Sequence, residues 1–509
     1  MKWISALLLV MIVAAGFAGS AWAAKETKKS DQYYPELQGD DDMRILESKR
    51  NMVSSGFQYG AWITPVFIYQ ETPQKTLSTS VTTFRAWLKT YLWNNSFLYV
   101  RGKDTYTKVL YQKGRQFTRD KNVADLDVGY ITMASDRKDV DFSVGRKYFL
   151  LGSGLVLDGR GDGAEFNYYS KYVNIKALGT WTGWLAKDDN PYGLSDRDIA
   201  TGAKRVFAGG RLSWDFFNQT LYAFGLAQFD FGDQLYNRKR WETCAIGAFY
   251  DAAARSNYTY AMMHYHQKSR YESQYYGAGL DGVIVSGLSY SGEFVMERGK
   301  SYLAGNIYPG LFGYNVKKDI LAYAAQAKLN YYINVILKPV IMIHYAFGSG
   351  DVNRSNYRNP NGNAWAKDRG FMYFGTFVGG YALRPVLANL HMISGSVAFS
   401  PFSWSSIYSF KNMTISAKYM YYLKHKNMSP INSGTDANRY NKHIGQAVDL
   451  SLRWLIFSDF SFFVNYGIFM PGKASGYQYY YDTAYRMVMF THSSVRYRHF
   501  MMGGFNVSF

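Results

Sequence analysis

Basic side chains recur at even spacings along the chain, and this spacing could gather several of them on one surface. Arg85 and Lys89 are four residues apart, and Arg496 and Arg498 are two apart. In an extended strand, residues separated by an even number point to the same face. The planar guanidinium of an arginine matches a carboxylate with two parallel hydrogen bonds. The pattern therefore favours an anionic ligand.

Residues that could catalyse a reaction do not fall into a familiar arrangement. The sequence has no Gly-x-Ser-x-Gly elbow and no His-Glu-x-x-His motif. His264 and His266 would share one face of a strand and could bind a metal, but polar residues facing water account for them more simply. Cys244 is the single cysteine, which excludes a disulfide framework and a Cys-based metal site. We expect no enzyme and no cofactor; a membrane-barrel lipase or protease is the alternative.

Composition excludes two broad classes of protein. Aromatic residues make up 18% of the 509 residues, charged residues make up 19%, and the mean hydropathy is −0.25. A disordered chain would lack the aromatic residues, and a helical membrane protein would be far more hydropathic. The net charge of +19 favours anionic partners. Nucleic acid is not expected among them if the protein is exported.

The first residues predict export from the cytoplasm. Lys2, the apolar run 4–18 and Ala21-Trp22-Ala23 have the three parts of a signal peptide, with cleavage predicted after Ala23. A membrane anchor is the alternative, but the run is too short to span comfortably. We expect residues 1–23 to be a signal peptide, 24–55 a flexible periplasmic segment, and 56–509 the membrane domain. A plug or docking role is the alternative for residues 24–55.

From about residue 56 onward the hydropathy pattern has a period of two. Residues 81–93, 335–344 and 449–456 each alternate apolar side chains with polar or mixed ones. Such segments predict strands with one apolar and one polar face. Short turns are predicted at Asn94-Asn95, Ser170-Lys171, Asn218-Gln219, 251–257, Tyr332-Ile333, 400–402 and Ser458-Asp459. Long polar loops are predicted at 183–204, 300–319, 350–388, 425–442 and 471–493.

Short turns that alternate with long loops indicate an antiparallel, up-and-down transmembrane β-barrel. A strand of about 11 residues, tilted by about 40°, would cross the apolar band of an outer membrane. We predict about 18 strands, within a range of 16 to 20. The chain ends with alternating apolar residues and a terminal Phe509, which is typical of a closing barrel strand. The protein is therefore expected in the outer membrane of a Gram-negative bacterium.

If the apolar faces meet lipid, the other faces point into a hydrated lumen. Acidic residues predicted on these faces are Asp125, Asp127, Asp141, Asp215, Glu293 and Asp449. Basic residues predicted there are Arg85, Lys89, Arg101, Lys147, Lys176, Arg211, Lys328, Lys338, Arg453, Arg496 and Arg498. Basic residues outnumber acidic residues on these faces, so we expect a channel that prefers anions. The alternative is an internal network of ion pairs with no role in transport.

Three stretches resemble the alginate-export family of outer-membrane barrels. They are 144–148 with 157–163, 347–351 with 388–390, and 443–450 with 469–472. The sequence departs from the family pattern at Lys147, where glutamine is expected, and at Ala447, where glutamate is expected. The resemblance implies an 18-stranded barrel whose arginine-rich constriction passes an anionic polyuronate. By this resemblance, the constriction candidates are Arg146, Arg453, Arg496 and Arg498.

Two functions follow from these patterns. The first is passage of anionic solutes or an anionic exopolysaccharide, which would involve outer-membrane lipids, the barrel-assembly machinery and periplasmic export partners. The second is a general diffusion porin with no specificity for a polymer. A salt-gradient reversal potential and block by a polyuronate would distinguish them.

Overall fold

The chain closes into a single antiparallel β-barrel. The computed structural model describes residues 56–72, 75–93, 95–114, 119–194, 198, 201–231, 270–308, 311–354, 366–431, 440–475, 477–482, 487–492 and 497–509. Within these residues, eighteen strands form one sheet, and the first strand pairs with both the second and the last. This closure confirms the predicted up-and-down barrel of about 18 strands.

The barrel wall is built in chain order, with one small hairpin inserted before the last strand. The wall strands are β1 (Phe57–Glu71), β2 (Lys75–Tyr91), β3 (Phe97–Gly114), β4 (Lys121–Ala134), β5 (Val140–Leu151), β6 (Leu157–Tyr169), β7 (Val173–Trp181), β8 (Arg205–Phe216), β9 (Gln219–Asp230), β10 (Arg270–Val285), β11 (Leu288–Tyr308), β12 (Leu311–Tyr332), β13 (Val340–Gly348), β14 (Leu390–Phe399), β15 (Met413–Lys424), β16 (His443–Leu455), β17 (Phe460–Pro471) and β20 (Arg498–Ser508). The inserted hairpin is β18 (Tyr477–Asp482) with β19 (Met487–His492).

Successive side chains alternate between the lumen and the outer surface. On β8, the outward Leu212 and Trp214 are more than half exposed, whereas the inward Phe207 and Ser213 are buried. Because a strand has a period of two, this register sends apolar groups outward to the lipid. The inward groups are polar, or apolar where they pack on an inserted segment, as Phe207 does on Phe374. In the described part of the chain, no helix is long and apolar enough to cross a membrane. Two short helical turns, Lys187–Asp189 and Tyr408–Lys411, lie between strands.

The two ends of the barrel differ in the length of their connections. One end carries short turns at 92–96, 135–139, 170–172, 217–218, 286–287, 333–339, 400–412 and 456–459, and the other carries longer segments such as 182–204, 349–389 and 425–442. The interpretation of 300–319 as a loop is wrong. β11 and β12 continue as a paired hairpin to Tyr308 and from Leu311, since a polar sequence does not by itself end backbone pairing. The turn predicted at 251–257 lies outside the described residues.

The β5–β6 hairpin leaves the wall and enters the lumen. β5 pairs with β4 only as far as Arg146, and β6 pairs with β7 only from Asp162 onward. Beyond these points, the two strands pair only with each other. At the tip, the Ser153 backbone N–H donates to Glu293 on β11, 2.7 Å away. The hairpin therefore crosses the lumen to reach a distant part of the wall.

A pair of glycines marks the place where this hairpin departs. Gly145 and Gly163 are cross-strand partners, and Gly145 has a φ of +130°, which L-residues rarely adopt. A Cβ on Gly163 would overlap the carbonyl oxygen of Gly179 on β7. Only glycine lets the backbones approach this closely while the hairpin bends inward.

Two longer segments also fold into the lumen. Segment 349–389 reaches β10, where the Tyr275 hydroxyl donates to the Met372 carbonyl at 3.0 Å. The same segment reaches β16, where the Tyr381 backbone N–H donates to Asp449 at 2.9 Å. Segment 182–204 packs on the hairpin, with Tyr192 donating to the Arg160 carbonyl at 2.9 Å. The apolar core of the protein therefore lies inside the barrel, between these segments and the wall.

Replacing Gly163 by alanine should destabilise the fold by about 1–3 kcal/mol, because the added Cβ meets backbone that cannot move aside. Urea unfolding of the purified protein measures this change. Gly179→Ala on the neighbouring strand is the matched control, since a Cβ there meets nothing within 4 Å. Equal unfolding midpoints for the two variants would contradict the role of the close approach.

Candidate functional site: the lumen constriction

The hairpin and the two inserted segments meet inside the barrel. Leu157 of the hairpin forms a parallel bridge with Phe374 of segment 349–389. Phe374 also packs against Phe207 on the wall, with ring centroids 5.1 Å apart, and against Tyr192 at 6.4 Å. Burial of the Tyr192 hydroxyl raises its pKa, so the group stays protonated and serves as a donor. These contacts hold the three segments as one packed unit.

A cluster of charges ties the hairpin to the wall strands β2, β3 and β4. At its centre is Asp127, which is fully buried. Its carboxylate lies 2.8 Å from Arg101 Nε, 3.3 Å from Arg85 Nε and 3.0 Å from Arg160 Nη1. Lys103 Nζ is 4.0 Å away and also pairs with Asp189 of segment 182–204. One carboxylate therefore joins three wall strands and the hairpin.

Arg146 connects three parts of the chain at the edge of this cluster. Its Nε and Nη2 atoms donate to Asp162 at 2.8 and 3.1 Å, and Nη1 donates to Asp125 at 3.1 Å. Its remaining bonds go to the carbonyls of Leu126 and Trp184, at 3.1 and 2.9 Å. With five acceptors in place, this guanidinium is engaged in holding the structure together.

Carboxylates on other parts of the wall anchor the inserted segments. Glu293 accepts from the backbone N–H and hydroxyl of Ser153, and from the Tyr222 hydroxyl at 2.9 Å. Glu297 accepts from the Met372 backbone N–H at 3.0 Å. Asp449 accepts from segment 349–389 as described above. The inward carboxylates of these strands are thus occupied by donors from the protein itself.

Segment 349–389 is held by an internal ion pair as well as by its contacts with the wall. The Arg354 Nε and Nη2 atoms donate to the two carboxylate oxygens of Asp368, both at 2.8 Å. Although burial opposes the charge of Arg354, the adjacent Asp368 raises its pKa above the usual value. A bidentate pair of this kind fixes geometry as well as charge.

Two of the predicted lumenal cations have no carboxylate partner within the described residues. Arg211 on β8 donates to the Ser213 hydroxyl at 2.9 Å and lies over the Tyr222 ring, 3.9 Å from its centroid. Lys89 on β2 lies over the rings of Tyr91 and Phe97, at 5.0 and 4.2 Å. A cation on an aromatic face keeps hydrogen-bond donors available to a ligand.

The other predicted site residues are spread around the barrel. Lys147 pairs with Glu165 at 3.1 Å. Lys328, Arg453 and Arg498 are on the inward faces of β12, β16 and β20, and Arg498 lies over Phe469 at 5.6 Å. Arg496 lies outside the described residues. The structure therefore gathers Arg85 and Arg146 in the cluster, with Lys147 nearby on the same hairpin, and leaves the rest apart.

Lys338 is not on a strand, so its predicted placement is wrong. It lies in the turn 333–339 with a φ of +46° and is exposed. The apolar residues 335–337 continue the strand pattern by composition, but β13 begins only at Val340. The left-handed backbone conformation of Lys338 interrupts the strand, and the pattern of side chains alone does not reveal that conformation.

Sequence reasoning missed Lys103 and Arg160 as site residues. Lys103 shares its face with Arg101, so the alternation that found Arg101 also applied to Lys103. Arg160 lies in the glycine-rich stretch 157–163 and points toward Asp127 only because the hairpin folds inward. Among the described residues, no three His, Cys, Asp or Glu side chains are grouped so as to hold a metal ion.

Comparisons with known proteins identify one family model and several solved structures of low sequence identity. The family model described as "Alginate export" matches residues 208–488, which is more than half of the chain. Among solved structures, OccAB1 of Acinetobacter baumannii has 9% identity and a TM-score of 0.49, with 89% of this chain and 96% of that chain covered. OccK8 (OprE) of Pseudomonas aeruginosa has 10% identity and a TM-score of 0.49, with 89% and 98% covered. No curated protein matches the sequence.

Removing the Glu293 carboxylate should loosen the hairpin tip and widen the lumen. Glu293→Ala deletes the acceptor for two groups of Ser153 and for Tyr222, so we expect a higher single-channel conductance with more frequent current fluctuations. Planar-bilayer recording measures both. Asp215→Asn is the matched control, because Asp215 accepts from Asn174 and Thr220 on the wall and holds no inserted segment. An unchanged conductance in the Glu293 variant would rule out this anchor.

Proposed function

Because this chain belongs to the alginate-export family of outer-membrane channels, we propose that it prefers anions and passes an acidic polysaccharide. The protein is a solute-conducting channel of a Gram-negative outer membrane. To this channel function, the proposal adds a preference for negatively charged solutes and a class of main substrate. The same proposal holds that the protein transports solutes and does not catalyse a reaction.

This proposal is supported by a difference between the acidic and the basic side chains of the lumen in the partners that they have. Glu293, Glu297 and Asp449 are occupied as anchors for segments of the chain itself. Arg211 and Lys89, in contrast, lie over aromatic rings and form no ion pair with a carboxylate within the described residues. Fixed positive groups lower the barrier for an anion to enter a pore and raise it for a cation.

The spread of basic groups around the wall suits a polymer better than a single tight site would. Arg211, Lys328, Arg453 and Arg498 are on four different strands. A polyuronate carries one carboxylate on each sugar, and an arginine can bind a carboxylate through two hydrogen bonds. Several weak contacts in series allow the chain to slide, whereas one strong contact would hold it.

The same proposal includes the partners expected from the sequence. Lipids of the outer membrane surround the barrel, as its fold requires. Small anions would follow the same path as the polymer. Periplasmic export proteins and the barrel-assembly machinery are proposed as partners, and residues 1–23 are proposed as the signal that directs the chain to them.

Substituting Arg211 should weaken the preference for anions. In a tenfold salt gradient, the reversal potential of the unmodified channel should have the sign of anion selectivity, and Arg211→Ser should move it toward zero by removing a lumenal charge. An alginate oligomer should reduce the current of the unmodified channel and reduce that of the variant less. Planar-bilayer recording on purified protein measures both effects.

Two matched variants make this test specific. Arg211→Lys keeps the charge and should keep the selectivity. Lys171→Ser removes a charge from an exposed turn and should leave it unchanged. Cation selectivity in the unmodified channel would overturn the proposal. Weak selectivity without block by the oligomer would favour a general diffusion porin.

A further inference from the structure

Histidine and lysine side chains form a patch at the end of the barrel that carries the long segments. We call it the rim patch; it consists of His391, His425, Lys426 and Lys442. His391 is the second residue of β14 and shares its outward face with Ile393, which is 50% exposed. His391 therefore borders the apolar outer surface and points away from the lumen.

The two imidazoles of the rim patch are held in a defined arrangement. The Tyr345 hydroxyl and His391 Nδ1 are 2.9 Å apart. Phe347 packs against both imidazoles, with ring centroids 4.8 Å from His391 and 5.2 Å from His425. The two imidazole centroids are 5.7 Å apart. This packing fixes both rings next to each other at the rim.

The hydrogen bonding of His425 also determines which of its nitrogens can bind a ligand. The Gly350 backbone N–H donates to Nδ1 of His425 at 3.2 Å. Since Nδ1 is the acceptor, the proton of the neutral ring is on Nε2, which is therefore a donor. A ligand at this position must offer a hydrogen-bond acceptor.

Within the described residues, the charged groups that act on His425 are basic. Burial, followed by Lys426, His391 and Lys442, lowers the pKa of His425 to about 4. Neither Lys426 nor Lys442 forms an ion pair within the part of the chain that the structure describes, and both are exposed. Like charges held together without a counter-charge are unfavourable, and an anion would relieve that repulsion.

We propose that the rim patch binds a phosphate group of a lipid in the outer leaflet of the outer membrane. Two ammonium groups and an imidazole N–H supply donors and positive charge, and a phosphate supplies acceptors and negative charge. Basic clusters at head-group height recognise phosphorylated lipids in this way. The apolar surface next to the patch fits acyl chains, so a lipid matches both surfaces and free phosphate matches only one. This site is independent of the proposed anion transport, because its two imidazoles pack on the outward face of β13 and β14.

Binding of lipid A to purified protein in non-ionic detergent tests the proposal. Native mass spectrometry should show retention of bisphosphorylated lipid A and at least about tenfold weaker retention by Lys426→Gln/Lys442→Gln, as expected for two lost charges near a head group. Lipid A without its phosphates should be retained as weakly by the unmodified protein. The heat-dependent mobility of each variant on gels reports whether it is folded.

A matched double variant tests whether the loss of lipid is specific to the rim patch. Lys171→Gln/Lys411→Gln removes two exposed charges at the opposite end of the barrel and should retain lipid A as the unmodified protein does. Equal retention of the phosphorylated and dephosphorylated lipids would overturn the proposal, as would displacement of the lipid by an equal concentration of inorganic phosphate. Normal reversal potentials in the rim variants, beside lost lipid retention, would confirm that the two sites are separate.

Discussion

Closure of the sheet by hydrogen bonds between β1 and β20 is the constraint on which the rest of the structure depends. A closed barrel leaves no strand edge at its seam, and it forces every second side chain inward. Eighteen strands enclose more space than these inward side chains can fill. The chain fills that space with segments of its own, and those segments need polar anchors in a hydrated interior.

These anchors connect the stability of the barrel to its selectivity. A wall carboxylate that accepts hydrogen bonds from an inserted segment is less available to attract a passing cation. The buried pairing of Asp127 with Arg85, Arg101 and Arg160 follows the same logic, since breaking it would leave several uncompensated charges together. In the proposed channel, the charge that the lumen presents to a solute therefore depends on how the inserted segments are anchored.

The wall of the barrel could be predicted from the sequence because its pattern is local. Alternation along residues 81–93 and 449–456 identified β2 and β16, and turn-prone residues identified several ends. The constriction could not be predicted in the same way. Whether Arg160 meets Asp127 depends on a bend at Gly145 and Gly163, and on a segment more than twenty residues away that covers the hairpin. Such contacts depend on three-dimensional packing, which a period of two does not encode.

The bend at Gly145 has a consequence for how such a channel could evolve a wider passage. Where β5 turns inward, residues 121–128 of β4 keep a paired neighbour on β3 only. Unpaired backbone groups are costly in contact with hydrocarbon. The hairpin compensates in part, because Arg146 and Arg160 donate to the carbonyls of Leu126 and Asp127 on that part of β4. Loss of the hairpin would therefore remove these donors as well as enlarge the bore. A lineage that gained conductance by this route would also have to supply new partners for the exposed backbone of β4.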